Sequence, residues 1–164
     1  MPEKKTIARA KQAKREGKSP SSQAGEFVRE EIEHIREGQH GARSARQAIA
    51  IGLSKARRAG VKLRPPKKGK TSEKTRRSAK QAYEKGQRHE PVSPTRSRAR
   101  VRALKKENRE SVSRTALSRQ AHSAAMKRNA SERSESAKQA AKTKGPRKRS
   151  EAAKKAALTR ARHR

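Results

Sequence analysis

The chain has 164 residues, a formal net charge of +33 and no cysteine. Leu, Ile, Val and Phe together number 16, well under the ~20% below which a highly charged chain cannot fill one packed core. The composition excludes a disulfide scaffold, a thiolate metal site and a cysteine nucleophile, and no apolar run approaches the ~20 residues of a membrane span.

Residues 1–20 carry seven basic and two acidic side chains and read as a basic disordered lead. The first 15 residues have no apolar core, so they do not form a secretory signal, and a cytoplasmic location is expected. Residues 21–63 are nearly balanced in charge and hold nine of the 16 large aliphatic and Phe residues. They read as a two-helix module. Ala24, Phe27, Val28, Ile32 and Ile35 recur at helical spacing, and Gly38 is placed to stop that helix. Ser44 followed by Gln47 is a capping-box start for the second helix. Its stripe is Ala45, Ala48, Ile49, Gly52, Leu53 and Ala56, its last turn is basic, and Gly60 follows as the terminating residue. The expected hairpin core is Phe27, Val28, Ile32, Ile35, Ile49 and Leu53. Burying so few side chains roughly balances the entropy of ordering the hairpin. Support from a homodimer through residues 21–63, or from a partner surface, is expected.

Residues 64–164 carry 33 basic and eight acidic side chains. Helix punctuation recurs there: Ser72 to Lys85 ending at Gly86, Ser93-Pro94 to about Glu107, and Ser113 to about Arg128. Residues 134–145 and 150–161 agree at seven of twelve positions, and the string Ser-Ala-Lys-Gln-Ala occurs at both 78–82 and 136–140. These units are too short and too poor in apolar residues to hold a helix alone. The expected fold is mostly α: a short helical hairpin followed by a long basic, Ala-rich, largely disordered or transiently helical tail.

The charge of the tail points to a polyanion partner, because each Lys or Arg that meets a phosphate releases condensed counterions. The candidate phosphate-binding residues are Lys67, Lys68, Lys70, Arg76, Arg77, Arg96, Arg98, Arg100, Arg102, Arg147, Lys148, Arg149, Arg160 and Arg162. Arg43 and Arg46 join them beside the interhelix loop Gly38-Gln39-His40-Gly41, whose backbone amides could approach a phosphate. Base-edge reading needs a rigid element in a groove, and stacking needs aromatics, of which Phe27 and Tyr83 are the only two. Nonspecific binding is therefore expected. Ser93-Pro94-Thr95-Arg96 has the Ser-Pro-x-Arg form found in linker-histone tails.

Other chemistry finds little support. The chain lacks Asp, so no Ser-His-Asp triad exists, and it has no Gly-rich phosphate loop. Glu31-x-x-His34, with Glu30 one turn before His34, has the spacing of a carboxylate-bridged metal motif. The second helix of the hairpin offers no matching ligand, and the five histidines show no metal spacing. These acids are therefore read as a solvated face. No catalytic residue, metal or cofactor is expected.

Phe27, Arg36-Glu37-Gly38 and the run from Arg46-Gln47-Ala48-Ile49-Ala50-Ile51-Gly52-Leu53-Ser54 to Ala59-Gly60 resemble a short domain of unknown function found in small basic bacterial proteins. That resemblance covers about residues 26–63, implies a bacterial source and carries no activity. The tail is similar in composition to those of bacterial histone-like proteins. Together these features describe a nonspecific DNA-binding, nucleoid-associated protein that neutralises phosphates and compacts or bridges DNA. An RNA- or ribosome-associated protein, and an adaptor that binds a protein through its hairpin, are the alternatives.

Overall fold

The computed structural model describes residues 2–162; Met1, His163 and Arg164, the outermost residues of lead and tail, lie outside them. Among the described residues the chain forms seven α-helices and no strand. They are α1 (Lys4–Arg15), α2 (Pro20–Arg36), α3 (Ala45–Arg58), α4 (Glu73–Gln87), α5 (Pro94–Leu104), α6 (Arg114–Met126) and α7 (Ala130–Arg162), with a 3-10 turn at Glu110–Val112. The chain divides into two compact units, Met1–Gln120 and Ala121–Arg164.

Serine chemistry sets most of the helix starts. The hydroxyls of Ser19, Ser44, Ser72, Ser93 and Ser113 each accept from the backbone N–H three residues on, at 3.2–3.5 Å, which satisfies a donor that the helix itself leaves unpaired. Pro20 and Pro94 occupy the first helical position, where a missing N–H costs nothing. Asn129 starts α7 with a reciprocal pair: its Oδ1 accepts from the Glu132 N–H at 2.7 Å, and Glu132 Oε2 accepts from the Asn129 N–H at 3.3 Å. Gly38 and Gly60 take positive φ, 80° and 86°. Each lets the next residue bond back into the last turn, Gln39 N–H to His34 O at 3.0 Å and Val61 N–H to Ala56 O at 3.1 Å.

Two small cores hold the first unit. In one, Phe27 and Ala24 of α2 meet Ala10 of α1, Ala56 of α3 and Val61 beyond it, with Ile7, Leu53 and Leu63 packed around them. In the other, Ile35 of α2 meets Ala42, Ala48 of α3 and Val112 of the 3-10 turn, with Ile32 alongside. Phe27, Ile35 and Val112 are fully buried, while Val28, Ile32, Ile49 and Leu53 are half-buried.

The expected hairpin with a disordered lead and tail is not what forms. Residues 4–15 are helical, and four further helices run from Glu73 to Arg162. One physical reason is that counting large side chains underestimates what Ala and Gly can do. Ala79, Ala82 and Gly86 are the buried residues of α4, and α4 packs against α3. Small residues let helix backbones approach closely, so each contact needs little volume to fill. The second reason is length. α7 contains a break at Gly145 (φ 70°, ψ 170°), followed by Pro146. Its two halves, 130–144 and 146–162, clear the ~12–15 residues below which isolated helices are marginal, and they are rich in Ala, Lys, Arg and Glu, which are good helix formers. The repeated segments lie in equivalent places. Thr143 and Thr159 each donate to the carbonyl four residues back, at 2.9 and 3.0 Å. Ser134 and Ser150 are inside helix rather than at its start.

Glycine fixes the spacing of the first unit. A Cβ on Gly52 of α3 would sit 2.6 Å from Val28 Cα and 2.9 Å from Phe27 O, so α2 and α3 touch backbone to backbone there. Gly86 does not end its helix as the sequence suggests. Instead α4 continues to Gln87, and Gly86 lies against the Arg57 carbonyl of α3, where a Cβ would clash. Gly52→Ala tests the crossing of α2 and α3. Alanine improves helix propensity by about 1 kcal/mol, but overpacking against a backbone costs about 1–3 kcal/mol. The clash is with main chain, which yields least, so thermal denaturation of G52A is expected to show a net loss of about 1–2 kcal/mol. An unchanged or raised melting temperature would refute the close crossing.

Candidate nucleic-acid interface

The every-second-residue arginines of α5 do not form one stripe. At 3.6 residues per turn, Arg96 and Arg100 share one side of the helix, and Arg98 and Arg102 share a nearly opposite one. α5 is exposed along its length, with only Leu104 buried. All four arginines are therefore solvent-facing, and none makes an ion pair with a described acid. The helix is held at its C-terminal end. The Gly41 N–H donates to Leu104 O at 2.9 Å and the Ala42 N–H to Asn108 O at 3.0 Å.

Those two bonds also settle the loop before α3. Its amides are candidates for meeting a phosphate, but those of Gly41 and Ala42 are spent on the last residue of α5 and the segment that follows it. Gly41 leaves no room for a side chain against the Glu107 carbonyl. Arg43 is exposed and 3.5 Å from Glu107 Oε1; Arg46 is exposed in the first turn of α3. α3 runs unbroken through Gly52 from Ala45 to Arg58.

Lys67, Lys68 and Lys70 are exposed in the loop between α3 and α4. Arg76 and Arg77 lie in the first turns of α4, and both pair with Glu73. That pairing holds the Glu73 carboxyl below its usual range, the hydrogen bond from Arg76 being the largest cause. It also offsets part of the arginines' charge. Tyr83 is half-buried and lines an open groove with Glu84, Gln87 and Arg88.

In the second unit, Arg147, Lys148 and Arg149 directly follow the Gly145 break, and only Arg147 has an acid near it, Glu151 at 3.7 Å. Successive residues turn by ~100°, so this triplet fans around the helix. Arg160 and Arg162 are exposed in the last turn. α7 buries no residue, and its cations encircle it.

The acidic face of α2 is not solvated. Glu31 is fully buried and Glu30 is 3% exposed. Glu31 Oε2 is 2.6 Å from Lys55 Nζ of α3, and Glu31 Oε1 is 3.5 Å from His40 Nε2. Lys55 compensates charge without hydrogen-bond geometry, so neither Glu31 oxygen accepts a hydrogen bond, and Glu30 Oε2 also lacks one. Glu30 Oε1 accepts from the Glu3 N–H at 2.7 Å. His34 Nε2 lies 3.0 Å from Glu3 Oε1 and 4.0 Å from Glu30 Oε1. The residues at 30, 31 and 34 are legible as a motif, but their burial is not. It comes from α1, α3 and the loop carrying His40, which close over that side of α2. Sequence reasoning misses His40 and Glu3 because no fixed spacing ties either to the motif. Arg57 is also buried, its Nε donating to Leu63 O at 3.1 Å, and burial lowers its pKa.

The Glu3 carboxyl is held below its usual value, first by the hydrogen bond from His34 and then by the nearby positive groups. A carboxyl with a lowered folded pKa adds stability above its ordinary value and loses it as pH falls through the lowered one. The melting-temperature gap between wild type and Glu3→Gln is therefore expected to be present at neutral pH and to close in acid. A gap that stays constant with pH would show that Glu3 acts through packing alone.

No helix among the described residues is long and apolar enough to cross a membrane. No curated protein and no solved structure shows significant similarity to the chain. Residues 5–68, from α1 to the loop beyond α3, match the model of a family of unknown function (DUF6496).

Proposed function

We propose that the chain is a nonspecific DNA-binding protein of nucleoid-associated, histone-like type, acting in the bacterial cytoplasm. The observation that carries this reading is the two-sided arginine display of α5. Four exposed guanidiniums without acidic partners stand on opposite sides of one helix, so two duplexes can be engaged at once. Guanidinium groups suit phosphate because their planar fork donates bidentate hydrogen bonds. The cations of α7 and of the loop at 67–70 add phosphate contacts that carry no sequence information. The scarcity of aromatics argues against single-strand stacking, and the fixed amides of the loop before α3 argue against a phosphate cradle there. The matched family lends no activity to this reading.

The test is a fluorescence-anisotropy titration of the full chain against two unrelated DNA duplexes and an RNA duplex of equal length, at several salt concentrations. Both DNA duplexes are expected to bind alike, with log affinity falling by about 0.9 per phosphate neutralised for each decade of salt. Replacing Arg96, Arg98, Arg100 and Arg102 with Gln is expected to lower that slope by about 0.9 for each phosphate that is no longer neutralised and to abolish bridging between labelled duplexes. Clearly tighter RNA binding would transfer the function to RNA. Weak binding to both at physiological salt would overturn it and leave the helical module as a protein-binding adaptor.

A further inference from the structure

The side chains around Glu31 form a second site unrelated to the cationic surface. Glu31, His34 and His40 each offer a ligand atom, and the three atoms all lie within 4.8 Å of one another. A second group, Glu3, Glu30 and His34, meets the same condition and shares His34. The two imidazoles stand edge to face, their centres 6.4 Å apart.

The atoms between His40 and Glu31 leave a gap of a particular kind. His40 Nδ1 lies 3.1 Å from the Gly41 carbonyl oxygen. A carbonyl can only accept, so in the neutral ring the proton sits on Nδ1 and Nε2 keeps its lone pair. Nε2 lies 3.5 Å from Glu31 Oε1, also an acceptor. Two acceptors that face each other in a buried place need a cation or a proton between them. Glu31 Oε2 is already matched by Lys55, while Oε1 has no hydrogen bond. A metal-ligating histidine commonly donates its other N–H to a backbone carbonyl, which fixes ring and tautomer, and His40 is held in that way.

We propose that Glu31, His34 and His40 bind a divalent transition metal, with zinc the best match. Imidazole nitrogens select zinc-like ions over magnesium or calcium, and one carboxylate with two imidazoles is an established donor class for zinc. Zinc–nitrogen and zinc–oxygen bonds of about 2.0–2.2 Å place neighbouring ligand atoms of a tetrahedron about 3.3 Å apart. The His40 Nε2 to Glu31 Oε1 distance is already close to that. Lys55 pairs with the other oxygen of the carboxylate, and Glu3 Oε1 lies 3.0 Å from His34 Nε2. The metal would tie the loop at His40 to the middle of α2.

The experiment uses the full chain, first stripped with chelator and then titrated with Zn²⁺ while the imidazole signals of all five histidines are followed by NMR. The first equivalent is expected to shift His34 and His40 and to leave His89 and His122 in place. Competition against a chromogenic chelator gives the affinity. His40→Gln is expected to weaken it at least about 10-fold, whereas His89→Gln and His122→Gln are expected to leave it unchanged. Absence of binding, first shifts at other histidines, or a His40→Gln protein that binds as tightly as wild type would each overturn the assignment. The NMR result on wild-type protein decides the question even if the variant fails to fold.

Discussion

The backbone contact between α2 and α3 at Gly52 is the constraint from which the first unit is built. With Gly52 against Phe27 and Val28, the two helices lie close enough for Ala24, Ala48 and Ala56 to be fully buried. The same closeness brings Lys55 of α3 within 2.6 Å of Glu31 of α2. One substitution-sensitive point thus sets both the packing of small side chains and the ion pair beside them. Gly86 repeats the device where α4 crosses the end of α3. A chain with only 16 Leu, Ile, Val and Phe residues reaches a packed interior in this way, replacing bulk with proximity. Dispersion depends on atoms being in contact, and close backbones supply contacts that long side chains otherwise would.

Charge is divided between interior and surface. The first unit buries Glu30 and Glu31, and His34 beside them; Lys55 balances Glu31, the Glu3 N–H donates to Glu30, and the Glu3 carboxylate lies against His34. Burying carboxylates is unfavourable unless they are paired, and the α1 start and α3 supply the pairing groups on this side of α2. The cations of α5 and α7 remain outside with few acids near them. An acid-poor surface repels itself, so the charge is a cost to the folded chain that a polyanion partner would relieve.

The two proposed functions make different physical demands. Phosphate contact would need density and exposure but tolerate imprecise geometry, and the exposed cations of α5 and α7 have both properties. Ion capture at Glu31 and His40 needs fixed atoms, and only the packed first unit provides those.

Much of the local structure was legible from residues alone. Ser44 with Gln47, the glycines at 38 and 60, and Ser-Pro at 93–94 mark helix ends through chemistry confined to a few neighbouring residues. The absence of strands among the described residues and of a membrane-length apolar helix follows from the same local patterns. Tertiary structure decided what each helix buries. The string Ser-Ala-Lys-Gln-Ala shows the division: at 78–82 and at 136–140 it is helical both times, yet Ala79 and Ala82 are buried against the rest of the first unit while Ala137 and Ala140 are exposed. Propensity acts within a turn or two and is carried by the string itself. Burial depends on which distant backbone arrives, here α3 at Gly86 and α2 at Gly52, and no short stretch of sequence contains that information. For the same reason Glu31 and His34 were visible as a spacing, whereas their enclosure, and the arrival of His40 opposite them, belonged to the fold.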